Sequence, residues 1–261
     1  MSLTINTNLA ALNAQRNLNH TEMMLAGTMQ RLSSGLRINS AADDVAGYAI
    51  SERMQGQVNG LNQATQNIQD GVSLAQTAQG AINDVTQMLQ RVRELAVEYA
   101  NGTTSETDKT AIGSEVNQLV SEINRVGEAT TFNGVKLLAG GATITFQVGA
   151  NEGETIGVAT ISLSTVVGSI SVSNISGIDS AISKVAGAAG EFGSVQDRIQ
   201  FTQSNLEVYS QNLTAAVSSL KDVNMAAEMT QFTKNTVLQQ AGISVLAHAN
   251  QNPQAILRLI E

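Results

Sequence analysis

The chain has 261 residues, of which 42% are hydrophobic, and it can therefore bury a sizeable core in one or two domains. This content excludes an intrinsically disordered chain and a collagen-like chain. The chain contains one Pro and no Cys, whereas average usage gives about a dozen Pro at this length. Long uninterrupted helices are therefore favoured over a turn-rich β fold, and disulfides and thiolate metal sites are excluded.

Acidic residues outnumber basic ones, and the formal net charge is −8. Residues 1–40 hold three basic side chains and one acidic one, and residues 221–261 hold three of each sign, so the excess negative charge lies in 41–220. A protein that binds nucleic acid needs a basic stripe, and this chain has none. No run of 18 apolar residues and no secretory-signal pattern occurs, which predicts no membrane insertion and either a cytoplasmic protein or export without a cleaved signal.

The first predicted element is an amphipathic helix over residues 5–36. Its apolar side chains follow a stripe that drifts around the helix. They are Ile5, Leu9, Leu12, Leu18, Leu25, Met29, Leu32 and Leu36.

The second is a long helix over about 42–100, with an apolar residue at every seventh position. If continuous, it would be about 90 Å long, which exceeds a compact globule of this chain length and predicts an elongated molecule. The positions are Met54, Leu61, Ile68, Ala75, Ile82, Leu89 and Ala96.

A third, shorter helix is predicted after Ser105, which with Asp108 three residues later resembles a capping box. Its apolar side chains are Ile112, Val116, Leu119, Ile123 and Val126.

The pattern then changes to a period of two, which is typical of strands. Residues 143–148 alternate, a glycine-rich turn occupies 149–153, and a β-rich return covers 155–163. These features predict a β-hairpin. Residues 170–176 indicate either another short strand or a loop.

Helix is predicted again from about Gly177, with Ser176 or Asp179 as its N-cap. Ten positions at spacings of three and four contain no charge, as in a coiled coil. They are Phe192, Val195, Ile199, Thr202, Leu206, Tyr209, Leu213, Ala216, Leu220 and Val223.

The last segment, residues 237–260, places apolar side chains around nearly the whole helix. Such a helix leaves too much apolar surface in water when it packs on one side only. The two chain ends are therefore expected to pack on each other or on copies of themselves. The apolar residues are Val237, Leu238, Ile243, Val245, Leu246, Ile256, Leu257, Leu259 and Ile260.

Residues that could carry catalysis or bind a metal are few and scattered. His20 and His248 have no carboxylate cluster near them, and the adjacent pair Asp43 and Asp44 is better explained as a helix cap. The glycines of 187–193 follow no strand, so they do not form a phosphate loop. We predict no catalytic residue, no cofactor and no metal.

Five motifs together resemble bacterial flagellin. The motifs are RLSSGLRINSAADDVAGYAISERM (31–54), LQRVRELAVEYAN (89–101), FNGVKLL (132–138), FQVGANEGETI (146–156) and VLQQAGISVLAHANQNPQAILRL (237–259). They cover both ends and most of the middle in the family's order. Only a short segment separates the hairpin from the returning helix, so the chain resembles a minimal flagellin without the variable outer domains.

The resemblance implies a mainly α fold: an elongated bundle of long helices in coiled-coil-like packing, with a small β-hairpin and with the terminal helices paired antiparallel. It implies that residues 1–40 and 221–261 form the inner tube of a filament and flank a rod of 41–176 and 177–220. It also implies that these terminal segments are largely disordered in the monomer and fold on assembly. The implied partners are further copies of the chain, the flagellar type III export apparatus, an export chaperone, and the filament cap and hook-junction proteins.

The motif LQRVRELAV is similar to the segment by which flagellins bind the vertebrate Toll-like receptor that detects them. Arg91, Glu94 and Leu95 lie in it, and Glu115 matches a position on the next helix. From the helical spacing, we expect Arg91 and Leu95 to face away from the core. The alternative is that this face packs against the next subunit along the filament.

The resulting hypothesis is a structural subunit of the extracellular flagellar filament that catalyses no reaction. A hook–filament junction protein, which has similar termini, is the alternative within the same class. An amphipathic membrane-binding protein is a further alternative, but such helices usually carry basic polar faces.

Overall fold

The structure is a computed structural model that describes residues 7–141, 143–168 and 170–260, except for the side chains of 252–260. The helices are α1 (Leu9–Ser34), α2 (Val45–Tyr99), α3 (Glu106–Ala129), α4 (Leu163–Val167), α5 (Ile175–Lys221) and α6 (Met225–Ile260). The strands are β1 (Thr131–Phe132), β2 (Val135–Lys136), β3 (Thr143–Gln147) and β4 (Thr155–Ala159). The predicted mainly α fold with long packed helices and a small hairpin is confirmed.

The chain forms two compact units. We call Met1–Gln55 together with Leu213–Glu261 the terminal unit, and Gly56–Asn212 the central unit.

In the terminal unit, α1 and α6 pack side by side in opposite directions. At one end the Asn8 side chain donates to the Ala249 carbonyl, and at the other Arg31 approaches Glu228. Asn8 also caps α1, because its side-chain oxygen accepts a hydrogen bond from the backbone N–H of Ala11. The predicted antiparallel pairing of the terminal helices is thus observed.

The segments that follow α1 and α5 are hydrogen-bonded to each other. Gly35 ends α1 with a φ of +72°, a left-handed conformation that favours glycine. The backbone N–H of Arg37 donates to the Lys221 carbonyl at 2.7 Å, and that of Val223 donates to the Gly35 carbonyl at 3.0 Å. These bonds fix where both terminal helices begin to pair.

In the central unit, α2 provides the main core-forming surface. Of the seven predicted positions, Met54, which belongs to the terminal unit, is half-buried, and all the others are buried. Gly71 allows α5 to approach, because a Cβ there would lie 3.2 Å from Cδ1 of Ile199. Helix α2 is continuous over 55 residues, so its glycines do not interrupt it. The buried positions are Leu61, Ile68, Ala75, Ile82, Leu89 and Ala96.

Helix α3 begins as the sequence predicts. The Ser105 side chain accepts a hydrogen bond from the backbone N–H of Asp108, which satisfies a free donor of the first turn. Ile112, Val116 and Ile123 are buried on its inner face.

The predicted hairpin is confirmed as the antiparallel pair β3–β4, in which Ile144 lies opposite Val158 and Phe146 opposite Ile156. Its return strand ends at Ala159, which is earlier than predicted. Leu163, predicted as strand, begins the short helix α4, because the Ser162 side chain accepts from the Thr165 backbone N–H and starts a helical turn.

A second hairpin, β1–β2, was not predicted. Its two-residue turn is Asn133–Gly134, and both residues have positive φ, +48° and +79°. Asn-Gly is the dipeptide that this type of tight hairpin turn prefers. The signal was therefore present in the FNGVKLL motif, although the strands themselves are only two residues long.

The beginning of α5 also differs from the prediction. The N-cap is neither Ser176 nor Asp179 but Asn174, whose side-chain oxygen accepts from the Gly177 backbone N–H at 3.0 Å. In the described part of 170–176 there is no strand. Further along α5, Tyr209 is exposed, so the predicted ten-residue seam is not buried throughout.

Candidate functional site

Most of the large exposed apolar side chains among the described residues lie on the terminal helix pair. Leu9 is 61% exposed on α1 and Val237 is 59% exposed on α6. Isolated exposed apolar residues are common in proteins, but a set this large on two paired helices marks an interaction surface. We call this set the apolar surface of the terminal unit. It comprises Leu9, Leu12, Met23, Met24, Met29, Met225, Met229, Val237, Leu238, Ile243 and Val245.

None of the fully buried side chains on the described parts of α1 and α6 is large and apolar, and leucines such as Leu25, Leu32 and Leu246 are only half-buried. The buried side chains of the pair include two alanines, Ala14 and Ala249, and two polar residues, Thr28 and Asn235. The Asn235 side-chain nitrogen is buried and makes no hydrogen bond. A buried polar atom without a partner destabilises a fold, so Asn235 lowers the free energy that the pair gains from its own interface.

The residues predicted to drive polymerisation fall into three groups. Leu9, Leu12, Val237, Leu238 and Ile243 are exposed. Leu25, Leu32, Leu36 and Leu246 are half-buried. Ile5 lies outside the described residues, as do the side chains of Ile256 and Leu257, although the backbone at 256 and 257 is helical.

Three of the four residues predicted to contact a receptor or another subunit form one charged cluster on the central unit. The Arg91 guanidinium donates to Oε1 of Glu115 through Nε at 3.2 Å and through Nη2 at 3.0 Å. It also donates through Nη1 to Oε2 of Glu94 at 3.2 Å. The Glu115 and Glu94 carboxylates, in that order, raise the pKa of Arg91, so the cation is retained at every physiological pH. We call these three residues the Arg91 cluster.

The Arg91 cluster joins α2 to α3 and remains accessible, since all three side chains are roughly half exposed or more. Exposed ion pairs contribute little to stability. The cluster is therefore better suited to contacting a partner than to holding the two helices together.

The prediction that Leu95 faces outward is wrong. Leu95 is 2% exposed and packs in a cluster with Val92, Ile112, Val116 and Ile178. The prediction assumed a narrow seam, whereas α2 packs here against both α3 and α5, which widens its buried face. Leu95 can affect a partner only by supporting the surface above it.

The paired aspartates act at the start of α2, as predicted. Oδ1 of Asp44 accepts from the Gly47 backbone N–H at 2.9 Å. Oδ2 of Asp43 accepts from the backbone N–H groups of Ser40 and Asn39, and these bonds lower the pKa of Asp43. Both carboxylates therefore stabilise a turn and a helix end.

Two ion pairs that the sequence did not reveal connect long helices. Arg93 Nε donates to Asp179 at 2.7 Å, which links α2 to α5 in the central unit. Lys221 Nζ donates to Glu52 at 3.0 Å and lies 5.8 Å from the centre of the Tyr48 ring in the terminal unit. Such pairs are far apart in sequence, so helical periodicity does not identify them.

Over the described residues, no three His, Asp or Glu side chains lie close enough together to hold a metal ion. None of the described helices combines the length and the apolar character needed to cross a membrane.

Comparisons with known proteins match both halves of the chain. Residues 5–143 match the bacterial flagellin N-terminal helical region, and residues 175–260 match the bacterial flagellin C-terminal helical region. The chain is 44% identical to the flagellin of Halalkalibacterium halodurans and 39% identical to that of Bacillus subtilis. Each alignment covers 99% of this chain and 100% of the relative.

Solved structures agree with this result. The Bacillus cereus flagellin crystal structure is 29% identical, covers 58% of this chain and 94% of its own, and superposes with a TM-score of 0.51. A Vibrio parahaemolyticus protein described as flagellar hook-associated has a TM-score of 0.59 over 69% of this chain and 100% of its own. At 14% identity, the latter likeness concerns the fold alone. The chain belongs to the bacterial flagellin family, and is a structural subunit of the extracellular flagellar filament rather than an enzyme.

Proposed function

We propose that subunits polymerise through the apolar surface of the terminal unit. In this proposal residues 1–40 and 221–261 form the inner tube of the filament, and residues 41–220 form the rod outside it. The observation that carries the proposal is the exposure of apolar side chains along both α1 and α6.

The energetic argument compares what the α1–α6 pair buries with what it leaves in water. Complete burial of one Val, Leu, Ile or Met side chain contributes about 1.5–3 kcal/mol. Among the described residues the pair fully buries only small or polar side chains, and its larger apolar side chains are half-buried or exposed, so further free energy is gained when another copy covers the surface. Contacts between different faces of identical subunits generate an open helical polymer when they do not close into a ring.

A charge placed on the apolar surface should prevent polymerisation without unfolding the chain. Val237→Asp introduces a carboxylate at a position that is 59% exposed in the single subunit. We expect the helical content of the monomer to stay unchanged and the critical concentration for polymerisation to rise by at least about tenfold, because assembly would bury an unpaired charge. Circular dichroism and sedimentation of salt-induced polymers measure the two effects.

The matched control is Val237→Leu, which keeps the position apolar and should polymerise normally. Normal polymerisation of Val237→Asp would show that this face is not the assembly surface.

We propose further that the Arg91 cluster is the part of the chain that a vertebrate Toll-like receptor binds. Support comes from its exposure, its fixed geometry across two helices and the resemblance of the surrounding motif to the receptor-binding segment of flagellins. The same cluster also suits a contact with the next subunit along the filament, and the receptor then competes for a surface that the polymer covers.

Arg91→Ala should lower receptor signalling by the single subunit by about tenfold, because an arginine with several hydrogen bonds is typical of an interface hot spot. Receptor-reporter cells treated with a dilution series of monomer measure the effect. Arg125→Ala is the control, since Arg125 is an exposed arginine on α3 that pairs with Glu122 on its own helix. Equal potency of the two variants would exclude the Arg91 cluster as the binding site.

For secretion, we propose the flagellar type III export apparatus, with an export chaperone that covers the apolar surface before assembly. Segments with few buried apolar contacts open locally at low free energy, which suits passage in an unfolded state. We also propose that the filament cap and hook-junction proteins contact the subunit through these same terminal helices.

A further inference from the structure

Methionine is unevenly distributed over this molecule. Of the eight methionines in the chain, five are large exposed side chains of the terminal unit, with exposed fractions from 42% to 67%. Met54 and Met88 are half-buried, and Met1 lies outside the described residues. The five exposed residues, which we call the methionine patch, are Met23, Met24, Met29, Met225 and Met229.

The methionine patch lies in the half of the α1–α6 pair that contains the contact between Arg31 and Glu228. Every member is within eight residues of a partner in the contact between Arg31 and Glu228. Met23 and Met24 line a groove together with Thr28 and Gln231. The patch thus supplies nearly half of the side chains in the apolar surface of the terminal unit.

We propose that the methionine patch is an oxidative modification site that controls polymerisation, with hydrogen peroxide and related peroxides as the oxidants. This inference rests on the proposed assembly role of the apolar surface. Among the side chains of this surface, only the methionine thioethers react readily with peroxides, because Leu, Val and Ile contain no heteroatom.

The reaction is balanced without any further reagent. A lone pair of the thioether sulfur attacks one peroxide oxygen, the O–O bond breaks and an S–O bond forms. The second oxygen leaves as water after proton transfer. Sulfur loses two electrons and the peroxide gains them, so each methionine becomes one sulfoxide.

Oxidation changes the surface from apolar to polar. A sulfoxide oxygen is a hydrogen-bond acceptor, and burying it without a donor in a subunit contact is unfavourable. The single subunit tolerates the change, because the patch is already exposed to water. The effect is therefore expected on assembly rather than on the folding of the monomer, and side chains buried by assembly should be protected from oxidation.

The test uses the full chain, oxidised as a monomer with dilute hydrogen peroxide and then induced to polymerise. Peptide mass spectrometry locates the sulfoxides, circular dichroism reports helical content, and sedimentation gives the critical concentration. We expect oxidation of the methionine patch ahead of Met54 and Met88, unchanged helicity, and a critical concentration raised by at least about tenfold. Filaments treated in the same way should acquire fewer sulfoxides in the patch.

The decisive variant replaces the five patch residues by leucine, which preserves apolar character and approximate volume. It should polymerise after peroxide treatment as well as before, whereas the control Met54→Leu/Met88→Leu should remain sensitive. If the five-leucine variant fails to polymerise without peroxide treatment, a second experiment takes its place. The oxidised native chain is reduced with methionine sulfoxide reductase, and we expect it to recover polymerisation.

Normal polymerisation of a chain with an oxidised patch would overturn the inference, as would peroxide sensitivity of the five-leucine variant or no recovery after reduction. The untreated Val237→Asp variant separates this result from the proposed assembly role. If Val237→Asp cannot polymerise while the oxidised native chain can, only the inference about oxidation is wrong.

Discussion

Removal of either chain end should abolish polymerisation while leaving a folded central unit. A chain without residues 1–40 loses α1, and a chain without residues 221–261 loses α6, so each truncation leaves one terminal helix without its partner. The central unit keeps its core, because the buried members of its two hydrophobic clusters lie between Ile68 and Ile199, outside both truncated segments. Electron microscopy and sedimentation after salt-induced assembly, together with thermal unfolding followed by circular dichroism, measure both outcomes.

The comparison of the two truncations sharpens this test. Removal of residues 1–40 and removal of residues 221–261 should reduce polymerisation equally. The reason is that α1 and α6 each cover one face of the other and both contribute to the apolar surface. The native chain, purified and assembled in parallel, is the positive control. Filaments formed by either truncated chain would mean that one terminal helix suffices, and the inner-tube assignment of residues 1–40 and 221–261 would then be wrong.

The long helices were predictable because their apolar residues repeat with a regular period. Ile68, Ile82 and Leu89 are separated by whole multiples of seven residues, and all are fully buried on α2. A period of seven places the apolar side chains on one face of the helix, and any partner that covers that face buries all of them. The burial of this face could therefore be predicted without knowing which helix packs against it.

The N-cap of α5 was predicted incorrectly, and the second hairpin was not predicted. Neither feature depends on a periodic pattern of apolar residues. The sequence analysis considered Ser176 and Asp179, but Asn174 lies only two residues before Ser176, and all three residue types can cap a helix. The path of the loop before α5 determines which of these residues caps the helix, and that path depends on tertiary packing. At Asn133–Gly134 the turn signal is strong, but two-residue strands have no alternation that a sequence pattern can detect.

The candidate sites were predictable in part. The helical repeat placed Arg91 outside, but it does not show that Glu115, on another helix, lies within hydrogen-bonding distance. Only the resemblance to the flagellin motifs brought those residues together before the structure did. The orientation of Leu95 was misjudged because the number of helices packed against α2 cannot be read from the sequence of α2.

Leu95→Ala should destabilise the central unit by about 2–5 kcal/mol, the range for truncation of a buried leucine to alanine. The substitution leaves a cavity among Val92, Ile112 and Ile178, which are themselves buried and therefore unable to shift freely. Urea denaturation followed by circular dichroism gives the change in the free energy of unfolding, and hydrogen exchange of the amides of 92–96 locates it.

Val97→Ala is the matched control, because Val97 lies two residues further along the same helix and is 51% exposed. It should change the free energy of unfolding by less than about 0.5 kcal/mol, as is usual for surface substitutions. Reduced receptor signalling by Leu95→Ala would then follow from a displaced Arg91 cluster and should be accompanied by lower stability. If instead signalling falls while stability is unchanged, Leu95 must be accessible in solution, and it would belong to the receptor-binding surface together with Arg91.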